Sequence, residues 1–471
     1  MRQGMLPIQV QIIPDGDGVT ARAGAVLVYE AMLALGVPEL VRRYIKLQER
    51  PGKHRDFDKL ADLVMTLATG GECIEDSRAL ATDLGLWRLV GRKPASPETL
   101  RQFLYGFHDE TLVMKAQQAA QARGLAAYIV EETKALRGLA QVNEAFIRRV
   151  VKRLRIKKAT LDHDATIIES HKREAMAHYK GGVGYQPAAI YWCEADLVVG
   201  DEYRDGNVPA GMENLRLIQR GFAALPHGVR ELYFRADTAC YDVDVLKWLA
   251  DESRPVGPSG PIGFAIGADM TNALATLCRA VPDQEWSVLD ERTTETVSWA
   301  EVEFTPGNWS KTARPLRYLV IRICKHQGEL FAQGGDTKYL SVVTNRDGDG
   351  AKLIRWYWEK AGTIELVHDV MKNELGAGVP PCGRLGANAA WYRLSALTYN
   401  VLSVLRSLAL PSEYEAARPK RLRAWVLTLP ARVISHAGRL VMQMSASVEK
   451  LSGFVEARRR LYALMLRPAP A

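Results

Sequence analysis

Residues 160–170 read TLDHDATIIES, and the fold turns on how that stretch is taken. A hydrophobic run meets a loop there, with Asp162 and Asp164 two residues apart. Strand residues two apart point to one face, so both acids face the same way at the end of what reads as a buried strand. Such a placement asks for a chemical reason.

Upstream, residues 1 to about 155 read as mainly helical after an extended segment, 6-LPIQVQII-13. The stretch 58-DKLADLVMTLATGG-71 has helical apolar spacing and stops at glycines. In 96-SPETLRQFLYGF-107, Ser96 suits an N-cap, Pro97 the first helical position and Glu98 the first turn. Arg101 and Gln102 on an early turn fit a helix-turn-helix DNA reader, and a plain helical bundle fits equally. Directly before the opening strand, 148-RRVVKRLRIKK-158 sets seven basic residues and no acid into eleven positions. A second basic concentration, 418-RPKRLRAW-425, is followed by Arg432, Arg439 and Arg458 to Arg460.

Downstream, two strands around a turn are expected at 188–196 and 197–206, a helix at 211–225, a strand at 231–239 and a helix at 242–251. A strand and helix follow through 261–277. Consecutive strands followed by alternating helix and strand predict an α/β fold, a mixed sheet with helices against it. From 286 to 345, short strands (SVLDERTTETVSWAEVEF, RYLVIRICKH, ELFAQ, KYLSVVTN) read as a β-rich insertion. Helices return at 352–375 and 386–410. The expected organisation is a mainly helical region at 1–155, a mixed-sheet core at 156–285, the insertion at 286–345, the rest of the core at 346–410 and a basic helical region at 411–471.

The chain has 471 residues, 47% hydrophobic and 25% charged, with a net charge of +8 and a pI near 9.1. That is the composition of a globular protein with a lean towards a polyanionic partner. No apolar run reaches the roughly 18 residues of a membrane span, and the early acids of MRQGMLPIQVQIIPDGDG do not fit a signal peptide. No membrane association and a cytoplasmic location are expected. Six cysteines without CxxC spacing suggest reduced thiols.

Three acids stand out by position: Asp164 at the end of the first strand, Asp237 in 235-RADTACY-241 at the end of a later one, and Glu365 within a long helix. Carboxylates held at strand ends beside a helix suit a pair of Mg²⁺ ions, hard cations that keep much of their shell for water and phosphate oxygens. Two such ions can serve an in-line phosphoryl displacement.

Taken in order, TLDHDAT, 180-KGGVGYQPAAIYWCEADLVVGDEYRDGN-207, RADTACY, 364-IELVHDVMKNELG-376 and 382-CGRLGANAAWYRLSALTYNVL-402 resemble a DDE-type insertion-sequence transposase, most of all the thirteen-eighty insertion-sequence family. The resemblance runs over almost the whole chain. It implies a ribonuclease-H-like core interrupted by the β-rich insertion, with Asp164, Asp237 and Glu365 as the catalytic acids. They would hold two Mg²⁺, for which Mn²⁺ can substitute, with Asp162 as accompanying ligand. It further implies cut-and-paste transposition: binding of inverted-repeat ends, cleavage, joining of 3′-hydroxyl ends to target DNA, and a homodimer holding both ends in a bacterial cytoplasm or nucleoid. Such transposases often carry Tyr, Arg, Glu and Lys along the final helix. This sequence departs at the Arg position, which is Ala361, and the nearest base is Lys360. Lys372 fits the closing basic position and Tyr357 the aromatic one. Lys372, Lys360, Lys152, Arg153 and Arg155 are the expected DNA contacts, with Trp299 as a stacking surface for an extruded base.

Other chemistries find less support. His163, His171 and His178 lack the companions of a zinc site, KGGVGY lacks P-loop order, and no GxSxG elbow is present. Two rivals stay open at this point: a carboxylate-pair glycosidase, and a transposase-derived DNA-binding protein with an inactive core.

Overall fold

The opening stretch forms a strand, β1 (Lys158–Ala165), inside a nine-stranded sheet, third from one edge. The structure is a computed structural model in which residues 18–47, 52–307, 309, 314–326 and 337–466 are described. The next strands are β2 (Ala188–Trp192), β3 (Leu197–Glu202), β4 (Glu231–Ala236) and β5 (Ile262–Ala268). Four more follow: β6 (Ser287–Glu291), β7 (Glu295–Val302), β8 (Arg317–Lys325) and β9 (Thr337–Thr344). The spatial order is β6-β7-β8-β9-β5-β4-β1-β2-β3. β1 pairs antiparallel with β2 and parallel with β4, and β4 pairs parallel with β5. Every residue of β2 is buried, as expected of a strand covered on both faces.

Helix α1 (Lys134–Leu154) leads into β1. Helices α2 (Asn214–Ala223) and α3 (Val243–Ala250) lie in the connections between β3 and β4 and between β4 and β5, the second being the crossover that the parallel β4–β5 pair requires. The helices Ala25–Ala34, Val37–Tyr44, Asp56–Ala68 and Pro97–Tyr105 pack with α1 and with a late, almost wholly buried helix, α6 (Leu385–Val404). Ser96 caps its helix, its Oγ accepting from the Thr99 amide. Arg101 bonds to Glu98 and Glu75, and Gln102 to Glu98 at 2.7 Å.

The strands of 286–345 continue the same sheet, because β9 pairs antiparallel with β5, Thr344 opposite Ala265. ELFAQ and the extended segment at 6–13 lie outside the described residues. The helix read over 352–375 is two helices, α4 (Gly350–Trp358) and α5 (Ile364–Glu374), separated by a tight turn. Thr363, at φ −114° and ψ −88°, breaks the helical path.

The expectation of a helical 411–471 needs correction. Ala431–His436 and Arg439–Met444 form a hairpin, and its first strand pairs with Val19–Thr20 near the other end of the chain. The two-residue turn, Ala437 and Gly438, has φ of 48° and 70°, which matches the twist of an antiparallel hairpin. A helix, Val448–Leu466, follows.

Beyond β3, burial alone pushes the Asp205 carboxyl up to about 6. An acid whose pKa is raised on folding binds its proton more tightly when folded, so its cost appears as pH rises from about 4 towards neutrality. Asp205→Asn is therefore expected to stabilise the protein by about 1–3 kcal/mol at pH 7.5 and hardly at pH 4, read from melting temperatures at the two pH values.

Candidate active site

Register brings the first two acids together. His163 of β1 lies opposite Ala236 of β4 in parallel pairing, so Asp164 and Asp237 occupy matching places on neighbouring strands. Such strands run about 4.8 Å apart. Burial raises the pKa of both carboxyls, and for Asp237 the charge of Asp164 raises it further. A partly buried acid raised by burial and by a neighbouring carboxylate makes this place a candidate functional site. Asp237 also caps the turn that follows it, accepting from the Ala239 amide at 3.1 Å.

Lys360 enters this pair from the turn between α4 and α5. Its ammonium is buried, 3.7 Å from the Asp164 carboxylate, so in this state its partner is an acid. Tyr357 reaches over the end of β5, where a Cβ on Gly267 would come within 2.9 Å of its hydroxyl. Burial, then the charges of Asp237, Asp164 and Glu365, push that phenol up to about 12. Glu365 is thus near enough to be felt at Tyr357, but it stands exposed on the first turn of α5. Behind Asp164, burial holds His163 and His368 neutral, each down to about 3.

Asp162 has a different occupation. It is fully buried, and its two oxygens accept from Arg235 Nε and Nη2 at 2.7 and 2.9 Å. The Cys193 thiol at 3.1 Å and the Thr363 hydroxyl share Oδ2. The structure therefore sets Asp162, expected as an accompanying metal ligand, in a buried ion pair with a bidentate guanidinium. Alternation gave its direction, but Arg235 and Thr363 were missed as its partners.

The expected DNA contacts fall in three places. Lys372, on α5, donates to the Ile167 carbonyl at 3.4 Å, and burial lowers its pKa. Lys152 and Arg155 are exposed at the end of α1, with Arg148, Lys157 and His227 lining the same cleft. Arg153 beside them folds back to the Arg149 carbonyl at 2.8 Å. Trp299 is half-buried against α4, where a Cβ on Gly350 would come within 2.1 Å of its ring. That contact makes it part of the packing that seats α4. The second basic cluster is largely engaged. Arg418 and Arg423 bind Glu374, at 2.6 Å to its carboxylate and 2.9 Å to its carbonyl, and fix the far end of α5.

As a metal centre the donor chemistry fits a hard cation, since the converging groups are carboxylates. Among the described residues, no three His, Cys, Asp or Glu side chains stand close enough to hold an ion together. Asp164 and Asp237 converge, and Glu365 remains apart.

Set against known proteins, the chain matches the family described as transposase DDE domain group 1 over residues 5–466. No curated protein matches it. Among solved structures, a piggyBac transposase synaptic complex with hairpin DNA is similar at a TM-score of 0.42 and 12% identity, over 97% of this chain and 89% of that one.

Proposed function

Because the chain belongs to the transposase DDE domain group 1 family, we propose that it is a cut-and-paste DNA transposase whose reacting phosphate meets Asp164, Asp237 and Glu365. The observation that carries this reading is the register that sets Asp164 beside Asp237 at the ends of two parallel strands. The strand order β3-β2-β1-β4-β5, with β2 alone running antiparallel to the other four, supports a ribonuclease-H-like core within the larger sheet. Family membership leaves the glycosidase reading without support. The narrower assignment to the thirteen-eighty insertion-sequence family, and a bacterial cytoplasmic location, belong to the same proposal.

In the proposed reaction, water attacks the phosphodiester at the element's end and leaves a 3′-hydroxyl and a 5′-phosphate. The freed 3′-hydroxyl then attacks a target phosphodiester, so that one bond forms as another breaks. Two divalent ions, Mg²⁺ or Mn²⁺, held by the three acids would supply charge stabilisation at the attacking and leaving oxygens. The chain's own groups do the rest. Asp164 and Asp237 are held on rigid strand ends, Lys360 balances their charge in the absence of substrate, and Lys372 stands on the same helix as Glu365. The exposed Lys152 and Arg155 cleft fits the duplex backbone. Two ends cut and joined in concert call for a dimer on DNA.

The test uses DNA flanking the gene: short inverted repeats offered as substrate in Mg²⁺ should be cut at their ends, and EDTA should abolish the cutting. Binding of those ends should weaken steeply with salt, and Lys152→Ala with Arg155→Ala should reduce the slope of log K against log salt by about 1–2. End binding without cleavage in either Mg²⁺ or Mn²⁺ would sink the enzymatic reading in favour of an inactive DNA-binding derivative.

A further inference from the structure

We infer that Asp162, Arg235 and Thr363 are positioning residues, forming a clamp that sets the turn between α4 and α5 and, through it, the places of Lys360 and Glu365. The inference rests on the reading of Glu365 as a site acid, and adds how that acid is aimed.

Arg235 lies directly opposite Asp162 in the β1–β4 register. Both residues are almost wholly inaccessible, at 2% and 0% exposure. Two of the guanidinium's three nitrogens go to Asp162. The third, Nη1, leaves the sheet and donates to the Trp356 carbonyl at 2.5 Å and to the Glu359 carboxylate at 3.1 Å, at the end of α4. The Trp356 ring covers the same guanidinium at 5.2 Å. Asp162 for its part accepts from the Thr363 hydroxyl at the start of α5. One ion pair therefore holds the last turn of α4 with its cation and the residue that precedes α5 with its anion. Lys360 lies inside the segment so gripped, and Glu365 two residues beyond it.

Sheet pairing does not require this. The two strands are already joined by backbone hydrogen bonds, and a buried ion pair can often be replaced by apolar residues without loss of stability. What apolar residues cannot do is direct a donor and an acceptor at the two sides of one turn. That turn matters because the helix breaks there: Thr363 leaves the helical region, and the angle of the break decides where Glu365 points. The far end of α5 is fixed separately through Glu374, so the clamp is the adjustable end of a helix otherwise anchored. Partners that orient a site residue from behind typically change activity about 10–100-fold when removed.

Thr363→Val keeps the β-branch and removes the donor; Thr363→Ser restores it; Arg235→Lys keeps the charge and loses the fork. With inverted-repeat ends in Mg²⁺, Thr363→Val and Arg235→Lys are expected to bind ends within about twofold of the unsubstituted chain and to cut them about 10–100-fold more slowly at saturation, while Thr363→Ser recovers most of the rate. Amide exchange should quicken over residues 359–368 and stay unchanged over 158–165. Cleavage within about twofold of normal in Thr363→Val, or exchange rising evenly over the whole sheet, overturns the clamp. If Thr363→Val does not fold, Arg235→Lys decides by the same readouts. If the unsubstituted chain cuts no ends, the transposase reading falls, and the exchange measurement still judges the clamp.

Discussion

Asp237→Asn is expected to abolish end cleavage and at the same time to raise the melting temperature. The amide cannot supply the charge that a phosphoryl displacement draws on. Losing one such electrostatic contribution, of order 4 kcal/mol, corresponds to a rate loss of about 10³-fold. Yet Asp237 is an acid whose ionised form folding disfavours, first through burial and then through the neighbouring charge of Asp164. The sign follows from linkage: a carboxyl with a raised pKa costs stability at every pH above its ordinary value, and the cost vanishes with the charge. A cleavage assay on inverted-repeat ends, paired with thermal melts at pH 7.5, measures both sides. Lost cleavage with a lower melting temperature would instead make Asp237 a structural residue.

The second large effect concerns stability alone. Arg393, at 1% exposure on α6, binds the Asp201 carboxylate at 2.9 and 3.0 Å, Glu132 at 2.8 Å and the Leu136 carbonyl at 2.7 Å. It ties α6 to β3 and to α1. Arg393→Met removes one member of a buried charge cluster and leaves Asp201 unpaired, which should cost about 3–5 kcal/mol in chemical denaturation. Burial works to raise the Glu132 pKa, but Arg393 and Arg220 outweigh it and bring the carboxyl down to about 2. The stability held by that lowered pKa is present at neutral pH and is lost as pH falls from about 4.5 to about 2. The gap between Arg393→Met and the unsubstituted chain should therefore narrow over that window, and a gap independent of pH would contradict the assignment.

Much of this fold was legible because its signals are local. Strand and helix order from 158 to 280, the Ser96 cap and the strand-end position of Asp164 and Asp237 all follow from short-range periodicity and capping chemistry. What escaped the sequence depends on partners far apart in the chain. The pairing of β9 with β5 joins the strands of 286–345 to the core sheet, and nothing within 286–345 announces that pairing. The hairpin at 431–444 alternates weakly and was hidden by its basic residues, which suggested a helix. Asp162 is the instructive residue: its direction was correct, but direction does not say what fills the space in front of it. Arg235 could have been suspected, since a basic residue at the end of an otherwise apolar strand needs a buried anion. The break at Thr363 left only a faint trace, the Gly362 before it.

The pairing of Val19–Thr20 with the hairpin strand has a bearing on how the molecule is made. Thr20 lies opposite Ala431, and Glu30 near the start is gripped by Arg458 at 2.6 Å. At ribosomal speeds of roughly 5–20 residues per second, about 20–80 s separate the synthesis of one partner from that of the other. During that interval an early strand waits with its edge unpaired. The helices beside it must hold together unaided, or be shielded, until residues 431–458 emerge to complete the small sheet and its ion pair.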